Sequence, residues 1–202
     1  FLCRKRYELK NHYHDNTTSK NYLHDIVYRQ NLDAVAIVLY RLENDSLSDE
    51  NIFLLLRKQL RPGLYFRNQF HIPLPENEPQ EFQYEIVAGI IETEDIGETG
   101  ILSRAKKEAF EEAGVILNIE NIFPLGHPFY PSSGVIPEKL YLYHAEIPKD
   151  QTEFFPQGDG SAVEEITSIE FFSLSQIKSM IAYGLILDAK TIIAAYRLKE
   201  IL

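Results

Sequence analysis

Residues 34–40, Ala-Val-Ala-Ile-Val-Leu-Tyr, form an unbroken apolar run whose length and β-branching predict a strand buried on both faces. A polar stretch over 43–50 gives way to Ile-Phe-Leu-Leu-Leu-Arg at 52–57, the expected antiparallel partner. Residues 84–91 read as a further buried strand ending at a glycine, Gly89. An acidic loop with Gly97, Glu98 and Thr99 follows, then a helix that Gly114 terminates. Alternation over 138–146 and apolar residues over 166–172 predict two more strands. The chain closes in helices: Ser173 or Ser175 caps one that stops near Gly184, and Asp188 caps another running towards Leu202. Residues 1–33 are polar and rich in Tyr, His and Asn, and predict one or two short strands ahead of the main fold. Pro73, Pro75 and Pro79 mark residues 71–81 as an ordered loop inserted before the strand at 83–88. Strands interleaved with a few helices imply an α/β protein, with a segment 1–33 preceding a domain over 34–202. No internal repeat or linker interrupts it.

The helix over 107–115 carries the candidate chemistry. Glu108, Glu111 and Glu112 stand at i, i+3 and i+4 and so share one face. Like charges crowded in this way repel, and the arrangement makes most sense around a hard divalent cation, Mg²⁺ or Mn²⁺. Lys-Lys-Glu-x-x-Glu-Glu alone is also an ordinary solvated helix face. The strand, the glycine-bearing loop and the terminal glycine around it point to a metal-dependent site for phosphates.

Together these segments resemble the Nudix box of the Nudix hydrolases, G-x5-E-x7-R-E-U-x-E-E-x-G-U with U aliphatic. Glu108, Ala109, Glu111, Glu112, Gly114 and Val115 match its second half. The first half is stretched, with eight residues between Gly89 and Glu98 and eight between Glu98 and Lys107, and Lys107 stands where the box has Arg. A longer loop costs little, whereas a lysine's point charge only partly replaces an arginine's paired donors. The substitution therefore bears on catalytic efficiency more than on metal binding.

Three further segments resemble the branch of that family that hydrolyses ADP-ribose and other nucleoside diphosphate sugars. They are 57–62 (Arg-Lys-Gln-Leu-Arg-Pro), 129–134 with 138–140, and 158–165 (Gly-Asp-Gly-Ser-Ala-Val-Glu-Glu), so the likeness spans residues 22–200. It implies a Nudix fold, a mixed β-sheet sandwiched between helices, with N-terminal strands that commonly cross between the subunits of a homodimer. It also implies a Mg²⁺-dependent (or Mn²⁺-dependent) pyrophosphatase acting on a nucleotide sugar, foremost ADP-ribose cut to AMP and ribose 5-phosphate. UDP-glucose or GDP-mannose are the alternative substrates, and a nucleotide-sugar-binding module without turnover is the alternative of another class. Carried over residue by residue, the metal is held by Glu108, Glu111, Glu112 and the Ala88 carbonyl, with Glu98 in support. Glu111, Glu112 and Glu164 are the catalytic residues, Glu164 as proton acceptor with Glu165 close behind. Arg29 and Arg61 clamp phosphates, Glu85 lies near the ribose, and Gly134 belongs to the substrate-binding loop.

Base recognition is less defined, because the chain has no Trp; Tyr22, His24 and Tyr28 are the aromatic substitutes. His127 and His144 lie in no ligand spacing and read as packing residues. Phe129 and Tyr130 line the sugar pocket or anchor their own loop.

Composition narrows the partners. At 202 residues and 45% hydrophobic the chain can bury one sizeable core. A formal charge of −10 disfavours nonspecific nucleic-acid binding and leaves an anionic pyrophosphate dependent on metal ions and a few arginines. No apolar run reaches the length of a membrane span, and residues 1–6 lack a signal peptide's apolar region, although the sequence does not begin with Met. The single cysteine, Cys3, excludes an internal disulfide and suits a reducing cytoplasm.

Overall fold

The computed structural model describes residues 2–44, 46–74, 80–158 and 168–202. In chain order its strands are β1 (Leu2–Leu9), β2 (Tyr22–Arg29), β3 (Ala34–Leu42), β4 (Ile52–Leu60), β5 (Phe82–Glu85), β6 (Val87–Ile90), β7 (Phe123–Pro124), β8 (Leu140–Glu146) and β9 (Ser168–Ser173). The helices are α1 (Pro62–Tyr65), α2 (Gly97–Ala113), α3 (Leu174–Ala182) and α4 (Ala189–Ile201).

β3 is central because its side chains serve two cores. Successive residues of a strand point to opposite faces. Ala34, Ala36, Val38 and Tyr40 enter one core, where Leu174 and Ile177 of α3 and Ala194 and Leu198 of α4 meet them. Val35, Ile37 and Leu39 enter the other, against Ala105, Ala109 and Ala113 of α2. Those three alanines lie four residues apart, so they form one smooth stripe along the helix. The result is an α/β protein with a mixed sheet between helices. β4 and β6 run antiparallel to β3, and β8 runs parallel to it.

The sheet opens near its middle, and that opening positions the site. β3 and β4 pair from Leu39 with Leu55 to Leu42 with Ile52, and then part. β5 continues along β4, with Arg57 opposite Glu85, while β6 continues along β3, with Ala36 opposite Ala88. The single strand expected over 84–91 is therefore two strands broken at Ile86, since the chain must switch from one diverging partner to the other. The Ile86 N–H, released from the ladder, donates to Thr191 Oγ1 of α4 at 2.9 Å, on a residue with no exposure. Left unpaired, such a buried donor would cost about 1–3 kcal/mol.

Several helix ends follow the residues that predict them. Ser173 and Gln176 make a reciprocal capping box at α3, and Asp188 accepts the Thr191 N–H at α4. Gly114 closes α2 at φ 66°, a left-handed conformation that suits glycine, and donates to the Phe110 carbonyl. α2 begins earlier than expected, at Gly97, so Glu98 lies in its first turn and not in a loop. A carboxylate there interacts favourably with the helix dipole.

β1 and β2, each of eight residues, form a separate two-stranded sheet. Every residue of β1 is exposed. β2 touches the main body through the Val27 N–H, which donates to the Val135 carbonyl at 3.1 Å. Residues 75–79 of the proline-bearing insertion lie outside the described residues. Among the described residues no helix is long and apolar enough to cross a membrane.

Candidate functional site

Where β3 and β4 part, α2 passes over β6 and a cavity of about 750 Å³ opens. The sheet contributes Ala34, Gln59, Ala88, Gly89, Ile90 and Leu140; α2 contributes Arg104, Lys107, Glu108, Glu111 and Glu112. Arg29, Arg61, Glu92, Glu138, Gly158 and Lys190 complete the lining. Five cationic side chains and five carboxylates thus share one wall. A second cavity of about 480 Å³, beside Glu98, Ile101, Tyr141 and Tyr143, has no arginine or lysine in its lining and suits a phosphate poorly.

Helix spacing brings Glu108, Glu111 and Glu112 to the first cavity together, as predicted. Each meets a different cation. Glu112 is the deepest: its Oε1 pairs with the buried Arg57 guanidinium of β4, and its Oε2 accepts the Ala88 N–H at 3.0 Å. Burial pushes the Glu112 carboxyl up to about 7, and Glu108 adds to this by repulsion; Arg57 and the Ala88 N–H only partly oppose it. Glu108 lies against Gly89, where an added Cβ would overlap its carboxyl carbon, so the glycine leaves the space that the Glu108 carboxyl occupies. Arg104 Nη1 stands 3.7 Å from Glu108 Oε1. Glu111 is the most exposed of the three and has Lys107 Nζ at 3.6 Å.

The cations expected to clamp phosphates line the cavity but hold carboxylates. Arg61 Nε donates to Glu85 Oε1 at 2.6 Å, and Lys190 pairs with the other Glu85 oxygen. Glu85 is buried, not a strand residue facing water. Burial alone would raise its carboxyl, but Arg61 and Lys190 together hold it below the usual range. Arg29 Nη2 donates to Glu138 Oε2 at 2.6 Å, and Arg29 Nε to the Asn31 carbonyl at 2.8 Å.

Other predicted residues lie elsewhere. Gly134 sits in an exposed turn and is not among the residues lining the cavity. Tyr22 and His24 are exposed on β2, and Tyr28 is half-buried there. Phe129 packs on the core beneath the Arg197 guanidinium, and Tyr130 is exposed. His144 is buried between the Tyr40 and Phe123 rings, in keeping with a packing residue. Glu164 and Glu165 lie outside the described residues.

Sequence reasoning missed Arg57, Arg104 and Lys190. Arg104 had a readable signal, its place four residues before Glu108 on one helix face. The other two reach their carboxylates from distant elements and carry no local signal.

The donor set suits a hard divalent cation in its chemistry, three carboxylates on one face beside a strand backbone. In an antiparallel strand the N–H and C=O of one residue point to the same side, so the Ala88 carbonyl shares the side from which its N–H meets Glu112. Among the described residues no group of three or more carboxylate, histidine or cysteine side chains is assembled as a metal cage. The carboxylates are turned towards protein cations instead. Comparison with models of protein families finds no match to this chain, and comparison with curated proteins finds none.

Proposed function

We propose that the protein is a Nudix-type hydrolase that uses Mg²⁺ or Mn²⁺ to cut the pyrophosphate bond of a nucleoside diphosphate sugar, foremost ADP-ribose to AMP and ribose 5-phosphate. The observation that carries this reading is the single cavity lined by Glu108, Glu111 and Glu112 together with Arg29, Arg61 and Lys190. Its volume lies within the range of about 300–1,000 Å³ common for small-ligand sites.

Glu108, Glu111, Glu112 and the Ala88 carbonyl would hold the cation, which when bound neutralises phosphate oxygens and acidifies water. The remaining roles belong to the chain. Arg61 and Arg29 offer paired donors that match phosphate oxygens, and Glu85 and Glu138 hold those forks in place before substrate arrives. Lys190 adds a second positive charge beside Arg61. Glu164 is assigned as proton acceptor from the sequence; Gly158, the last described residue before it, lines the cavity.

A homodimer belongs to the same reading. A two-stranded sheet is at best marginally stable alone, and β1 has no covered face here, so a second copy is the natural cover. Light scattering on a size-exclusion column should report twice the chain mass; a monomer would remove this element. A free, exposed Cys3 thiol agrees with a reducing cytoplasm.

The function is tested by incubating the protein with Mg²⁺ and ADP-ribose, UDP-glucose or GDP-mannose and resolving products by ion exchange. Mononucleotide plus sugar phosphate, absent with Glu112→Gln, is the expected result. Binding without turnover in Mg²⁺ or Mn²⁺ would favour the nucleotide-sugar-binding module, a reading that Lys107 in place of arginine supports.

A further inference from the structure

We propose that Arg104 is the positioning residue that holds Glu108 in place as a cation ligand, a task that Lys107 does not perform; the inference rests on the function proposed above. Helix geometry separates the two candidates. Lys107 lies about 100° round the helix from Glu108, whereas Arg104, four positions before Glu108, lies within about 40° of it and faces its carboxylate. Lys107 reaches Glu111 instead, and its side chain is 54% exposed. The Arg104 side chain is 9% exposed and lies one turn before Glu108.

The guanidinium serves the loop and the helix at once, with the exposed Glu94 Oε1 also 3.8 Å from its Nη2. Its Nε donates to Asp95 Oδ2 at 2.7 Å, while its Nη1 stands 3.7 Å from Glu108 Oε1. Asp95 Oδ2 also accepts the Glu92 N–H at 2.9 Å, and the Asp95 N–H returns to the Glu92 carbonyl at 3.0 Å. Arg104 therefore ties the β6–α2 loop to the helix at the height of Glu108. Gly89 bounds Glu108 on another side, where its carboxyl lies against the glycine backbone. Backbone on one side and a buried guanidinium on another thus bound the Glu108 carboxyl. The fork matters as much as the charge, because one planar group must serve Asp95 and Glu108 together, and an ammonium offers no such fixed pair of donors.

The test is Mn²⁺ binding by the full chain, followed through the electron paramagnetic resonance signal of free Mn²⁺, with kcat and KM measured alongside. Arg104→Ala is expected to weaken Mn²⁺ binding about 10–100-fold and to lower kcat with little change in KM, as loss of a partner behind a metal ligand does. Arg104→Lys should melt close to the parent yet still bind Mn²⁺ about tenfold more weakly. Lys107→Ala should cost less than either. If Arg104→Ala does not fold, Arg104→Lys decides. Mn²⁺ affinity within about twofold of the parent for Arg104→Lys, or an equal loss in Lys107→Ala, would overturn the inference and leave the proposed function standing. A parent chain that binds no Mn²⁺ would overturn both.

Discussion

Glu85 and Glu112 are both buried carboxylates joined to an arginine at the edge of one cavity, yet their surroundings push their protons in opposite directions. Glu85 meets two cations, the Arg61 fork at 2.6 Å and Lys190, and is held below the usual carboxylate range even though burial opposes this. Glu112 meets one guanidinium, from Arg57, and one backbone N–H, and has Glu108 nearby; burial wins and its carboxyl rises to about 7. One cluster is saturated with positive charge and the other is short of it. The saturated one orients Arg61 and Lys190 towards the cavity, and the other has room in its charge balance for a cation.

The largest expected effect probes the second cluster. Glu112→Gln keeps the shape and removes the charge, and should lower kcat at least about 100-fold if Glu112 is a cation ligand, since loss of mere supporting partners already costs 10–100-fold. Glu85→Gln should retain more activity and raise KM, because Arg61 loses its anchor but stays in the cavity. A Glu112→Gln enzyme with parental kcat would erase the distinction between the two clusters.

Stability should reverse the ranking. Replacing Glu85 takes the carboxylate from Arg61 and leaves Lys190 with Asp188; because the Arg61 side chain is 41% exposed, the cost should fall below that of a fully buried pair, at about 1–3 kcal/mol. Glu112→Gln removes a charge that burial already disfavours, so its cost at neutral pH should stay below about 1 kcal/mol. Urea denaturation at pH 7 in the presence of a chelator measures both. Equal losses would mean that Arg57 depends on Glu112 as much as Arg61 depends on Glu85.

The two clusters were also unequally legible. Glu108, Glu111 and Glu112 could be grouped from spacing alone, because a helix translates sequence separation directly into angle. Arg57 and Lys190 could not be attached to their carboxylates, since each pairing depends on how the sheet and α4 pack. The same division runs through the fold. β3 and β4 announce themselves by continuous apolar runs, and α3 and α4 by a capping Ser173 or Ser175 and by Asp188. The break at Ile86 was hidden, because an apolar run does not record which neighbour it pairs with. The start of α2 was missed for a local reason: Ile96 at the N-cap position has no side-chain oxygen, so no capping residue marks where the helix begins.

The smallest effect gives the sharpest comparison, because the two carboxylates predict opposite pH dependences in separate windows. Glu85 binds its proton more weakly in the folded chain than in the unfolded one. Its contribution is therefore complete above the unfolded value near 4.5 and is lost only as pH falls through its folded pKa. Glu112 binds its proton more tightly when folded, about 7 against 4.5, so the folded state holds more protons and stability falls as pH rises between those values. The metal-free chain should lose about 2 kcal/mol by this route between pH 5 and pH 7.5. His144 acts in the opposite sense near pH 6.5, since burial lowers its pKa and the unfolded state then holds the extra proton. The diagnostic quantity is accordingly the difference between the parent and Glu112→Gln, in which the His144 contribution cancels. As pH rises that difference should move against the parent when chelator is present and shrink when Mg²⁺ is added. A difference independent of pH would mean that Arg57 balances Glu112 as fully as Arg61 and Lys190 balance Glu85.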